Sequence, residues 1–109
     1  MRRGDFVLAV VPGDYGKPRP ALVVQSSLYA GLPSVALCPL TSDLRDDAPT
    51  LRILVLPDQN NGLLMPSQIA VDKLTTVSIT RLRDVIGHAD ETLMLQVTRS
   101  LAVFLEIGT

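Results

Sequence analysis

The residues best suited to chemistry are polar and sit at the ends of apolar runs. Arg19 stands between Pro18 and Pro20 and opens the run Ala21-Leu22-Val23-Val24. The prolines restrict their own φ and push the residues before them toward extended geometry. A five-donor guanidinium on so stiff a stem suits phosphate binding. Lys17 lies just before it. Thr41 and Ser42 follow Pro39-Leu40 at the end of a second apolar run. Gln68, Asp72 and Lys73 lie around position 70. If the strands carrying these groups are neighbours, the groups converge on one sheet edge. Arg19 then holds a phosphate, Thr41 hydrogen-bonds one, Asp72 accepts a proton and Lys73 balances charge. Taken singly, each residue also has an ordinary structural role: Thr and Ser begin turns, and Asp72 with Lys73 makes a surface pair.

Other chemistries have less support. No nucleophilic triad is apparent: His88, the only histidine, reads as a general base or, more simply, as a partly exposed loop residue. Asp43, Asp46 and Asp47 could hold Mg²⁺ beside a phosphate, or form a solvated acidic loop. No Cys/His metal cluster, HExxH or glycine-rich phosphate loop occurs. No cofactor is expected.

These groups need a scaffold. The chain has 109 residues, enough for one domain spanning 1–109 with a modest core. Apolar residues make up 47% and charged residues 19%, a globular balance. The aromatics are Phe6, Tyr15, Tyr29 and Phe104, so the core must be aliphatic. A net charge of −1 argues against a broad basic surface for duplex DNA. Cys38 is alone and lies in an apolar run, as a buried small hydrophobe in a reducing cytoplasm would. No stretch approaches the ~20 apolar residues of a membrane span. Phe6 to Val11 is too short for a signal segment, so a cytoplasmic location without membrane contact is expected.

The pattern predicts strands at Phe6–Val11, about Pro20–Gln25, Ser34–Leu40 and Leu51–Leu56, with Arg52 the lone charge of the fourth. Gln68 to Leu74 alternates as a strand, and Thr75 to Ile79 continues in β-favouring residues. Thr80 to Arg83 reads as a helical turn before Val85-Ile86-Gly87. Asp90 caps a helix carrying Leu93, Met94, Val97, Leu101, Phe104 and Leu105 at amphipathic spacing, with Gly108 as its stop. Five or six strands and one helix imply a strongly bent antiparallel sheet covered on one side. A homodimer would close the face left open.

Several stretches resemble the MazF/PemK family of bacterial toxins. They are Arg3-Gly4-Asp5, Arg19 to Gln25, Pro39-Leu40-Thr41-Ser42, Asp72 to Val77 with Arg81-Leu82, Ile86-Gly87, and the final helix. Their order and spacing carry the resemblance over nearly the whole chain. It implies an α+β, SH3-like, strongly curved antiparallel barrel with a C-terminal helix, and a homodimer. It implies a metal-independent endoribonuclease acting on single-stranded RNA at short preferred sequences. In such enzymes a 2′-hydroxyl attacks the adjacent phosphate, leaving a 2′,3′-cyclic phosphate and a 5′-hydroxyl. A cognate antitoxin protein is implied as partner. The family's arginine before proline matches Arg19, its threonine after the third strand matches Thr41, and an acid used in some members matches Asp72. Lys17, Ser42, Gln68 and Lys73 are candidate RNA-binding residues beside them.

The chain also departs from the family pattern. Some members carry arginine two residues before the acid, where Ala70 stands here. Others carry it three residues after, where Thr75 stands. The glutamate common in the first loop is absent, leaving Asp14 as a possible substitute. Two further readings therefore stay open. One is a gyrase poison of the same fold, as in the CcdB branch, although the C-terminal Leu105-Glu106-Ile107-Gly108-Thr109 lacks an aromatic contact residue. The other is a weakly catalytic member that only binds an antitoxin.

Overall fold

The computed structural model describes residues 1–13 and 15–108. The elements run β1 (Asp5–Ala9), β2 (Arg19–Val23), β3 (Ser34–Thr41), β4 (Arg52–Val55), β5 (Ser67–Ala70), β6 (Thr75–Ser78), β7 (Leu82–His88) and α1 (Glu91–Leu105). Short 3₁₀ turns occupy Ser27–Tyr29, Val71–Lys73 and Ile79–Arg81. All the strand pairings are antiparallel, in the order β4-β5-β3-β2-β1-β7, with β6 also paired to β3. Among the described residues the strands number seven rather than five or six, because Val85-Ile86-Gly87 belongs to a longer strand.

β3 organises the sheet. Along one edge it pairs with β2 through Leu37, Cys38 and Pro39. Along the other, Ser34 to Leu37 pair with β6 while Leu40 and Thr41 pair with β5. One eight-residue strand thus serves two partners on the same edge. The chain must turn sharply between them, and it does so in the 3₁₀ turn Val71–Lys73. Asp72 and Lys73 therefore stand on a corner, not on a continuing strand as the alternation suggested. Val71 anchors the corner by facing the core, fully buried.

The apolar strands bury both faces, which is why they read as continuous runs rather than alternating ones. Phe6, Leu22, Cys38, Leu40, Ile53 and Ile69 pack on one side with Val97 and Leu101 of α1. Val7, Ala9, Ala21, Val23, Val35, Leu37 and Val77 form a second cluster. Asp90 caps α1 by accepting a hydrogen bond from Leu93 N at 2.7 Å. The helix ends at Glu106, which takes the left-handed conformation two residues before the expected stop at Gly108. Phe104 and Leu105, expected in the core, are 42% and 48% exposed.

The sheet is strongly curved but does not close into a barrel. Among the described residues β4 and β7 share no ladder. Instead the turn after β4 folds against β7, where His88 N donates to Asn60 O at 2.8 Å. Glycines permit the approach. A Cβ on Gly62 would lie 2.0 Å from the Ile86 carbonyl oxygen, and one on Gly87 would lie 2.3 Å from the Asn61 backbone. The buried Asn61 holds the turn by donating to Leu56 O and accepting from Asp58 N and Leu63 N.

Candidate active site

The neighbours required for convergence are present: β5, β3 and β2 are consecutive in the sheet. The β2–β3 register pairs Ala21 with Pro39. Continued by two residues, it sets Arg19 opposite Thr41. Thr41 is in turn the cross-strand partner of Gln68 on β5. A groove of about 900 Å³ runs past these strand ends, its wall including Arg19, Thr41, Ser42, Arg45, Arg52 and Lys73. Apolar residues line it as well, among them Leu8, Pro20, Leu40, Leu63 and Ile86. Cationic and hydroxyl groups beside apolar ones suit a polymer that offers phosphates and flat bases.

Arg19 is exposed at the first position of β2, beside Ala9 of β1. Its position follows from the sequence: Pro20 occupies a strand-entry site, where a missing N–H is tolerated. Thr41 closes β3, and its Oγ1 accepts from Asp43 N at 3.1 Å, so the hydroxyl both starts the turn and faces the groove. Lys17 is exposed on the approach to β2 and is not among the groove-lining residues, which include its neighbour Pro18. Asp14, the possible substitute for the missing glutamate, lies outside the described residues.

Gln68 is buried and its amide is occupied. Its Oε1 accepts from Arg45 N at 2.9 Å and its Nε2 donates to Arg45 O at 2.6 Å. It clamps the loop after Thr41 and is not among the residues that line the groove. Arg45, which sequence reasoning missed, rims the groove with its guanidinium on Asp47, Nε and Nη2 donating at 3.0 and 2.7 Å.

Asp72 also has a partner that its local sequence did not disclose. Arg52 Nε donates to Asp72 Oδ1 at 2.8 Å and Nη2 to Oδ2 at 3.1 Å. The two are 20 residues apart in sequence. Arg52 is the cross-strand partner of Ala70 on β5. The cation missing at position 70 is thus delivered from the adjacent strand. The hydrogen bonds from Arg52 lower the Asp72 pKa below the usual carboxylate range, against the opposing effect of desolvation. A more acidic carboxyl is a weaker base, which works against proton acceptance by Asp72.

His88 is placed apart from the groove wall, its Nδ1 2.7 Å from Asp5 Oδ1. Asp5 Oδ2 accepts from Arg2 N, and Arg3 donates to Val24 O and to Thr98 Oγ1. The Arg3-Gly4-Asp5 start is a clasp joining the N-terminus to β2, β7 and α1. Among the described residues, no group of three or more His, Cys, Asp or Glu could hold a metal ion. Among the described residues, no helix is long and apolar enough to cross a membrane.

Comparison with known proteins places the chain in a family and matches its fold. The chain is 42% identical over 109 residues to a probable endoribonuclease MazF from Mycolicibacterium smegmatis, covering 99% of each chain. Its fold matches Mycobacterium tuberculosis toxin MazF-mt6 with a TM-score of 0.80, at 21% identity over 96% of this chain and 99% of that one. It matches an endoribonuclease solved with its cognate antitoxin from a mycobacterial species with a TM-score of 0.81, at 17% identity over 100% and 98% of the two chains. A MazE–MazF structure from Deinococcus radiodurans gives a TM-score of 0.76, at 21% identity over 99% and 98%. Residues 2–105 match the family model for PemK-like, MazF-like toxins of type II toxin–antitoxin systems, and the chain belongs to that family.

Proposed function

We propose that this toxin is an endoribonuclease that cleaves single-stranded RNA at short preferred sequences in the groove between β2, β3 and β5. The observation that carries the reading is that Arg19 and Thr41, at the ends of adjacent paired strands, line one groove. Attack by the 2′-hydroxyl forms the 2′-O–P bond and breaks the P–O5′ bond. One proton passes from the nucleophile to the leaving 5′-oxygen. The products are a 2′,3′-cyclic phosphate and a 5′-hydroxyl. Arg19 stabilises charge on the phosphoryl oxygens, and Thr41 supplies one hydrogen bond. Ser42, Lys73 and Lys17 contact the RNA backbone, and no metal takes part. The same groove is the docking place of a cognate antitoxin, consistent with a structural neighbour solved in complex with its own. Exposed Leu54, Leu56, Leu64 and Met65 are apolar surface for a homodimer to cover. A toxin that acts on RNA works in the cytoplasm.

The experiment is incubation of the purified protein with a long RNA, with and without EDTA. Cleavage that survives EDTA and stops when deoxyribose replaces ribose at the cut site supports the mechanism. An absolute Mg²⁺ requirement, or cutting at deoxyribose, contradicts it.

A further inference from the structure

Arg52 differs in kind from the other cations of the groove. It is only 8% exposed, whereas Arg19 and Arg45 are exposed. Two of its three nitrogens, Nε and Nη2, are bound side-on by the Asp72 carboxylate. Among the described residues the third, Nη1, has no hydrogen-bond partner, yet no buried side-chain nitrogen is left unsatisfied. Nη1 is therefore not fully enclosed, and Arg52 is among the residues that line the groove. The result is a donor locked in orientation by a bidentate clamp, on rigid sheet rather than on a loop.

Its charge is already compensated. A cation free to release counterions binds phosphate, and its contribution falls with salt. A guanidinium neutralised by its own carboxylate offers directed N–H groups with little net field. Such a donor fits a neutral acceptor, namely a carbonyl oxygen or ring nitrogen on the edge of a base. Resting on the ribonuclease reading above, we propose that Arg52 is a specificity-determining residue: its Nη1 donates to an acceptor on one base of the bound RNA, and Asp72 is the positioning residue that aims it.

The test is the cleavage profile of a long RNA, read at every site as a function of salt, for the parent, Arg52→Lys and Asp72→Asn, with melting temperatures. Arg52→Lys keeps the charge pair and loses the third nitrogen. Discrimination at one position of the preferred sequence should fall about tenfold, while the salt slope stays at the parent value. Asp72→Asn keeps the side-chain volume and releases the Arg52 charge. The same position should lose discrimination, and the slope of log affinity against log salt should steepen by about 0.7, the value for one further phosphate contact on a single strand. A merely structural ion pair predicts uniform slowing at all sites that follows melting temperature, with unchanged preferences; that outcome overturns the proposal. Should Arg52→Lys not fold, the Asp72→Asn profile decides alone by the same criteria. A parent that cuts no RNA overturns the nuclease reading and this inference together. A parent that cuts, with variants of unchanged preference and slope, overturns this inference only.

Discussion

The Gln68 side chain grips the Arg45 backbone at both ends, accepting from its N–H and donating to its carbonyl. These two bonds fix the loop that follows Thr41. The amide is buried, so neither bond can be replaced by bulk water without opening the loop. Gln68→Leu should destabilise the fold by about 2 kcal/mol, from two lost bonds of ~1 kcal/mol each. Amide exchange at residues 42–47 should rise more than elsewhere. A melting temperature equal to the parent's, with exchange unchanged, would remove Gln68 from this role.

The Arg52–Asp72 pair makes stability depend on pH in a definite direction. Arg52 holds the Asp72 pKa below its unfolded value. The stabilisation is therefore fully present above the unfolded carboxyl pKa of about 4, and is lost as pH falls through the lower folded value. Melting temperature of the parent should decline as pH is lowered below about 4. Asp72→Asn should start lower at neutral pH and show a shallower acid decline. Parallel acid limbs in the two proteins would mean that the pair contributes nothing to folding.

Cys38 is fully buried, and its thiol pKa is pushed up to about 12, first by desolvation and then by the Asp72 carboxylate. The reactive species is the thiolate, so the native protein should resist thiol reagents at pH 8 and react stoichiometrically once unfolded. Rapid labelling of the native protein would show that the centre of β3 opens to solvent.

Much of the scaffold is legible in the sequence because its strands are buried on both faces. Runs such as Ser34 to Leu40 have no other sensible location. The helix cap at Asp90 is equally plain. What the pattern could not disclose is where strands end. Gln68 to Leu74 alternates to the eye, but β3 has only enough edge for β5 and β6 if the chain turns between them, and Val71–Lys73 is that turn. That the sheet stays open where a barrel was expected was illegible for a similar reason. A turn with Gly62 set against Ile86 occupies the place of the last ladder.

The site is legible by half. Arg19 and Thr41 stand out because prolines and strand ends mark them. Arg52 reads only as a lone charge in an apolar strand, and its partner Asp72 is 20 residues away. An isolated charge in such a run is itself a signal, since a buried guanidinium requires a partner from some other element. The loop-clamping role of Gln68 was illegible because a polar residue at a strand end looks the same in sequence whether it faces a groove or grips a loop.

The measurement that bears most directly on the account is RNA cleavage by Arg19→Ala, Arg19→Lys and Thr41→Val beside the parent, with melting temperatures for all four. Arg19 should be indispensable. Its loss removes charge stabilisation worth on the order of 3 kcal/mol, so Arg19→Ala should cleave about a hundredfold more slowly or worse. Arg19→Lys keeps the charge but loses the planar fork, and should fail almost as badly. Thr41→Val should lose less, through one hydrogen bond. All should melt close to the parent, since Arg19 is exposed and Thr41 ends its strand. Arg19→Ala cutting RNA at the parent rate would contradict the assignment of this groove as the active site.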